Sequence, residues 1–131
     1  MARIREAHVV AQVERSLQAS GRFYVNNHGT MLSRSGVPDF VTMDKRSTLV
    51  GIEAKAPGAK PTVNQLRRAL EILASGGRYC VAYDGFRMSD VDEGNVTRLI
   101  VPGLEIGDDE FDLFDDFCAQ KQGAVELVRS A

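Results

Sequence analysis

The stretch PDFVTMDKRSTLVGIEAK, residues 38–55, decides the fold. Residues 38–43 and 47–55 are rich in apolar and β-branched side chains, which is typical of β-strands. Asp44-Lys45-Arg46 separates the two runs and indicates a turn. We therefore predict an antiparallel hairpin, because a short connection of this kind joins strands that run in opposite directions.

The register of this hairpin brings charged side chains together. A turn centred on Arg46 places Asp39 directly opposite Glu53, and such a pair points to one face with Cβ atoms about 5 Å apart. Lys55 lies two residues beyond Glu53 and therefore shares that face. Two adjacent carboxylates repel each other unless a cation lies between them. Hard oxygen ligands favour Mg²⁺ or Mn²⁺, so the hairpin indicates a divalent-metal site.

The segments around the hairpin predict an α/β domain with a mixed sheet. The order α-β-β-β-α-β is followed by a short acidic C-terminal extension. We expect one domain over residues 1–131 with its core at about 3–101. The other predicted elements are helices over 3–19, 62–74 and 108–121, strands over 22–28, 78–84 and 96–101, and a loop over 85–95.

Two polar residues on the predicted helices each have two interpretations. Glu6 shares the angular sector of Val10 and Leu17, where a carboxylate is costly unless it is paired or ligated. Alternatively, the first turn is frayed and Glu6 lies in solvent, favoured by the helix dipole, and periodicity alone favours this alternative. Gln65 completes a capping box with Thr62, which accounts for it without any chemistry.

Charge is divided unevenly along the chain. Residues 1–78 carry twelve Lys/Arg and six Asp/Glu, whereas residues 79–131 carry four Lys/Arg and twelve Asp/Glu. A basic first part is typical of a protein that contacts a polyanion. The alternative is that surface charge simply drifts along the sequence, and charge alone does not separate the two interpretations.

The composition predicts a cytoplasmic protein. No apolar run approaches the length of a membrane span, and the charged start MARIREAHVV is unlike a signal peptide, so we expect neither a membrane partner nor secretion. Cys80 and Cys118 have no metal-type spacing, which indicates reduced thiols. If a phage encodes the chain, the host cytoplasm is the expected location. His8 and His28 have no partner in the sequence and receive no predicted role.

Three motifs in order resemble those of a nuclease superfamily. GVPDF (36–40), GIEAK (51–55) and KPTVNQ (60–65) are similar to the motifs of the PD-(D/E)XK nucleases, and most of all to the VRR-NUC branch found in phage proteins and structure-specific repair nucleases. The resemblance runs from about Glu6 to Tyr83. It implies a restriction-endonuclease-like core and metal-dependent hydrolysis of DNA phosphodiester bonds.

The resemblance also implies a role for each motif residue. Asp39, Glu53 and the backbone carbonyl of Ala54 would be metal ligands, and Lys55 would orient or activate the attacking water. Glu6 would match the acid of the family's first helix and would be a third carboxylate among the metal ligands. Gln65 would match a glutamine near the active site, alongside or instead of its capping role. Small stand-alone members of this branch resemble junction resolvases that act as homodimers, so we expect a homodimer that acts on branched DNA.

Basic residues around the motifs are candidates for holding the DNA backbone. They are Arg34, Lys45, Arg46, Lys60, Arg67 and Arg68. Two alternatives stay open. The chain is a non-catalytic DNA-binding or assembly module on the same fold, or the motif match arises by chance and its charges are ordinary surface ion pairs.

Overall fold

The structure of the chain, a computed structural model, describes residues 4–28, 35–101, 117 and 119–129. These residues form a mixed α/β arrangement of three helices and six strands. In chain order the elements are α1 Glu6–Ala19, β1 Tyr24–Asn26, β2 Phe40–Met43, β3 Leu49–Ala54, α2 Val63–Ala74, β4 Arg78–Ala82, α3 Met88–Glu93, β5 Thr97–Val101 and β6 Ala124–Arg129.

The six strands form one mixed sheet in the order β1-β2-β3-β4-β6-β5. Neighbours are antiparallel except for the parallel pairs β3–β4 and β5–β6. The sequence analysis did not predict β6, which lies beyond the expected core boundary near residue 101 and is nevertheless an interior strand. Of the predicted helix 108–121, only Phe117 and residues 119–121 are described, and 119–121 are not helical.

The predicted register of the β2–β3 hairpin is confirmed. Phe40 faces Ile52 and Met43 faces Leu49, which is the pairing expected for a turn centred on Arg46. Asp44 closes this turn, because its Oδ1 accepts hydrogen bonds from the backbone N–H groups of two residues in the turn, at 2.8 and 2.9 Å. Local turn chemistry therefore sets the alignment of the whole hairpin.

The two longer helices cover opposite faces of the sheet. From α1, Val9, Val13 and Leu17 are fully buried in a cluster with Phe40 and Ile52. The predicted stripe contained Val10, which instead lies half-buried beside this cluster. Complete burial of each large side chain stabilises the folded state by about 1.5–3 kcal/mol.

The opposite face of the sheet packs against α2. Leu66 and Leu70 contact a second cluster that contains Tyr79 and Val81 of β4. The intervening Cys80 belongs to the first cluster, as the alternation of side chains along a strand requires. Cys80 is a buried free thiol, whereas Cys118 lies outside the described residues.

Residues 85–95 were predicted as a loop, and this was wrong for its centre, where α3 lies. Met88 and Val91 anchor this short helix because both side chains are buried in the first cluster. The backbone N–H of Met88 donates to Ser16 Oγ of α1 at 2.7 Å. Gly94 ends the helix in the left-handed conformation with φ +75°. None of the described helices is long and apolar enough to cross a membrane.

Candidate active site

The three charged residues of the predicted hairpin site meet at one edge of the sheet. Asp39 directly precedes β2, Glu53 lies near the end of β3, and Lys55 follows β3. One further step in the register beyond Phe40 and Ile52 places Asp39 opposite Glu53. Their relative exposures are 9%, 2% and 8%, so three ionisable groups are nearly excluded from water. Burial on this scale is costly unless partners compensate it.

Close packing positions Asp39. Gly36 has φ +84°, and an added Cβ would lie 2.3 Å from the backbone oxygen of Asn64 in α2. At Gly51 of β3, a Cβ would lie 2.9 Å from Cγ of Pro38. Only glycine allows both approaches, so the G-V-P-D segment packs directly on α2 and β3. This packing explains why Gly36 and Gly51 of the motifs are glycines.

The Asp39 carboxylate is hydrogen-bonded through both oxygens. The backbone N–H of Ala54 donates to Oδ2 at 3.0 Å. On the other side, Nδ1 of His28 lies 3.0 Å from Oδ1. These two contacts from opposite sides restrict rotation of the carboxylate, so its orientation is largely set before any ligand binds.

Glu53 has one satisfied and one unsatisfied oxygen. Nε2 of Gln65 donates to Oε1 at 2.8 Å. Oε2 is buried and has no hydrogen-bond partner among the described residues. Burial, followed by the charge of Asp39, raises the pKa of Glu53 to about 9 against the opposing charge of Lys55. Without a cation, this carboxyl group therefore holds a proton at neutral pH.

Gln65 performs both of the roles left open by its sequence position. Its backbone N–H donates to Thr62 Oγ1 at 3.2 Å, and its side-chain Oε1 accepts from the backbone N–H of Thr62 at 2.8 Å. The capping box uses the amide oxygen and leaves the amide nitrogen for Glu53. The start of α2 is therefore attached directly to the site.

Glu6 lies beside the site through Lys55. The distance from Lys55 Nζ to Glu6 Oε1 is 3.8 Å, and the Glu6 side chain is 43% exposed. Glu6 also contributes to the raised pKa of Glu53, as the smallest of its causes. Glu6 thus combines features of both interpretations. It lies in the first turn of α1 partly in solvent, and it is also paired with Lys55.

The donor set fits a divalent cation held mainly by two carboxylates. Among the described residues, no group of three or more His, Cys, Asp and Glu side chains is arranged to hold a metal ion. Asp39 and Glu53 remain, with the unsatisfied oxygen of Glu53 beside the charge of Asp39. Mg²⁺ commonly binds through one or two carboxylates and retains several waters, so the pair suits it.

An open cleft borders the site. Residues 4–6 at the start of α1 and residues 56–59 after Lys55 line a cavity of about 630 Å³. Its walls are mostly small and apolar, and Glu6 belongs to them. Glu6 connects this cavity to the site, because its Oε1 lies 3.8 Å from Lys55 Nζ.

The structure separates the predicted DNA-contact residues into two groups. Lys60 and Arg67 are exposed near the start of α2, and the half-buried Arg68 pairs with Glu71 at 3.0 Å. Lys45 and Arg46 lie at the hairpin turn, the opposite end from the site, because Asp39 is six residues away along the hairpin, roughly 20 Å. Arg34 lies outside the described residues. Lys45 and Arg46 thus lie away from the site, and the contact of these basic residues with DNA stays a prediction.

His28 is the site residue that the sequence analysis missed. It received no role because its partner, Asp39, is distant in the sequence and the β1–β2 pairing was not predicted. In the structure β1 pairs with β2, and Asn26 faces Phe40. This register brings the residues after β1 to the residues before β2.

Comparisons with known protein-family models, curated proteins and solved structures find no match.

Proposed function

We propose that the chain is a metal-dependent nuclease that hydrolyses DNA phosphodiester bonds with Mg²⁺ or Mn²⁺. One observation carries the proposal. Two buried carboxylates, Asp39 and Glu53, lie beside a buried lysine, Lys55, and one Glu53 oxygen has no protein partner among the described residues. The resemblance to the VRR-NUC branch and to a restriction-endonuclease-like core supports the same assignment.

Each residue has a definite role in this proposal. Asp39 and Glu53 would hold the cation, with the carbonyl of Ala54 as a further ligand. A bound divalent cation neutralises the phosphate and lowers the pKa of coordinated water. Lys55 stabilises negative charge as it develops on the phosphate and orients the attacking water. Gln65 fixes Glu53 through its hydrogen bond of 2.8 Å.

The substrate surface is proposed to surround the cleft beside Lys55. Lys60 and Arg67 are exposed at the start of α2 and would contact the DNA backbone. Lys45 and Arg46 would contact DNA only if the substrate extends along the hairpin to the opposite end. We propose that the chain acts on branched DNA as a cytoplasmic homodimer. A two-fold dimer would place one active site on each of two strands.

The test is a cleavage assay on plasmid, linear duplex, flap and four-way junction DNA. We expect cleavage with Mg²⁺ or Mn²⁺, none with EDTA, and a fall in rate of about 10²–10³-fold for Lys55→Ala. Glu53→Ala should be inactive. Arg87→Ala is the matched control, because Arg87 is a solvent-exposed residue paired only with Asp90 among the described residues.

Two results would contradict the proposal. Unchanged cleavage by both Glu53→Ala and Lys55→Ala would place the active site elsewhere. Retarded DNA bands without cleavage under either metal would favour the alternative function, a non-catalytic DNA-binding module.

A further inference from the structure

The segment after β1 is attached to the Asp39 segment by several hydrogen bonds. The backbone N–H of Asn27 donates to the carbonyl of Asp39 at 2.6 Å, and its side chain donates to the carbonyl of Pro38 at 3.3 Å. The backbone N–H of His28 donates to Asn26 Oδ1 at 2.9 Å. His28 is therefore held in place by its own backbone and by its neighbours.

This segment is also connected to α1. Nδ2 of Asn26 donates to Glu14 Oε2 at 2.9 Å, so the asparagine that orients His28 is itself fixed by a helix. The result is a chain of contacts from α1 through Asn26 and His28 to Asp39. Positioning of this kind is what a metal-ligating carboxylate requires, because its orientation determines the geometry of the metal site.

The His28 ring makes a single polar contact within the described part of the chain, through Nδ1 to Asp39 Oδ1 at 3.0 Å. An ionised carboxylate only accepts hydrogen bonds, so the imidazole nitrogen that faces it carries the proton. The His28 side chain is 37% exposed, whereas that of Asp39 is 12% exposed. The ring thus contributes little to the core and is well placed to act on Asp39.

We propose that His28 is a positioning residue for the metal site. It donates from Nδ1 to Asp39 Oδ1 while Ala54 N–H donates to Oδ2, and together they hold the carboxylate in the orientation that binds the cation. This inference rests on the proposed function, since it assigns Asp39 as a metal ligand. It adds a fifth side chain to Asp39, Glu53, Lys55 and Gln65, and it requires no contact between His28 and the substrate.

The test measures Mn²⁺ affinity by calorimetry for the wild-type chain and three variants. We expect His28→Ala to weaken binding by about 10–100-fold, the usual cost of losing a partner of a metal ligand. His28→Asn should recover most of the affinity, because the asparagine amide nitrogen occupies nearly the position of Nδ1. His28→Gln should not, because its amide nitrogen reaches the position of Nε2.

Cleavage kinetics test the same positioning role of His28 independently. For His28→Ala we expect a lower kcat at limiting Mn²⁺ that approaches the wild-type value at saturating Mn²⁺, with KM for DNA unchanged. His8→Ala is the matched control, because His8 is a histidine of α1 that contacts Asp84 at 3.7 Å. It should match the wild-type chain in both experiments.

The outcomes separate this inference from the proposed function. Equal Mn²⁺ affinity of the wild-type chain and His28→Ala would overturn only the role of His28. Recovery by His28→Gln as complete as that by His28→Asn would also overturn it, because the contact through Nδ1 would then be irrelevant. A wild-type chain that binds no Mn²⁺ would overturn both proposals.

Discussion

The two ends of the sheet both bury carboxylates but treat them differently. At the turn end, Asp44 and Glu126 are each 8% exposed, and at the site end Asp39 and Glu53 are 9% and 2% exposed. Arg78 joins the first pair, with Glu126 at 2.6 Å and Asp44 at 3.1 Å. The site end has no arginine in an equivalent position among the described residues.

This difference appears in the pKa values of the two pairs. Burial alone would raise the pKa of Asp44, but hydrogen bonds from the backbone of Thr48 and Arg46 and the charge of Arg78 outweigh it, and the pKa is lowered. Burial and Asp39 instead raise the pKa of Glu53 to about 9. The comparison teaches that the turn end is complete by itself, whereas at the site end Lys55 alone does not offset the carboxylates, and a bound cation would supply further positive charge.

The largest expected effect comes from breaking the turn end. Arg78→Met should lower the free energy of unfolding by about 3–5 kcal/mol, because it leaves two buried carboxylates without their cationic partner. Urea denaturation in EDTA measures this. Arg87→Met, which removes an exposed arginine, should change stability by no more than about 0.5 kcal/mol. An equally small change for Arg78→Met would mean that the turn end does not depend on its ion pairs.

Adding a cation should sharpen the contrast between the ends. At a concentration 100 times its Kd, Mg²⁺ or Mn²⁺ should stabilise the folded chain by about 2.7 kcal/mol. Asp39→Asn and Glu53→Gln should each lose most of the resulting rise in Tm, because each removes a charged ligand. Glu126→Gln at the turn end serves as the control and should keep it. An identical rise in all four proteins would place the metal elsewhere.

The smallest expected effect is the change in stability caused by a single unit of pH, and this change has opposite signs at the two ends. Folded Glu53 keeps its proton to pH about 9, whereas the unfolded chain loses it near 4.5. Metal-free stability should therefore fall as pH rises between these values, by at most about 1.4 kcal/mol per unit. The lowered pKa of Asp44 acts oppositely, and its contribution is lost as pH falls below 3.8.

Glu53→Gln distinguishes the two contributions. Thermal unfolding followed from pH 5 to 9 in EDTA should show a smaller decline for this variant than for the wild-type chain. Parallel curves for the two proteins would show that Glu53 ionises normally in the folded state. The site end would then lack the uncompensated burial that separates it from the turn end.

Local features of the sequence were sufficient for the hairpin and its charged face. The alternation of apolar residues in 38–55 and the turn at Asp44 predicted the observed register, and with it the meeting of Asp39, Glu53 and Lys55. The capping box likewise predicted where α2 begins. These features depend on interactions between residues that are close in sequence or related by one turn, so periodicity and turn chemistry reveal them.

Contacts between distant segments were decided only by the tertiary structure. Insertion of β6 between β4 and β5, the position of α3 on α1, and the contact of His28 with Asp39 all depend on which buried surfaces fit together. The sequence by itself determined that Asp39, Glu53 and Lys55 meet at one end of the hairpin, because alternation and turn residues act locally. Packing over long range decided which other residues support them.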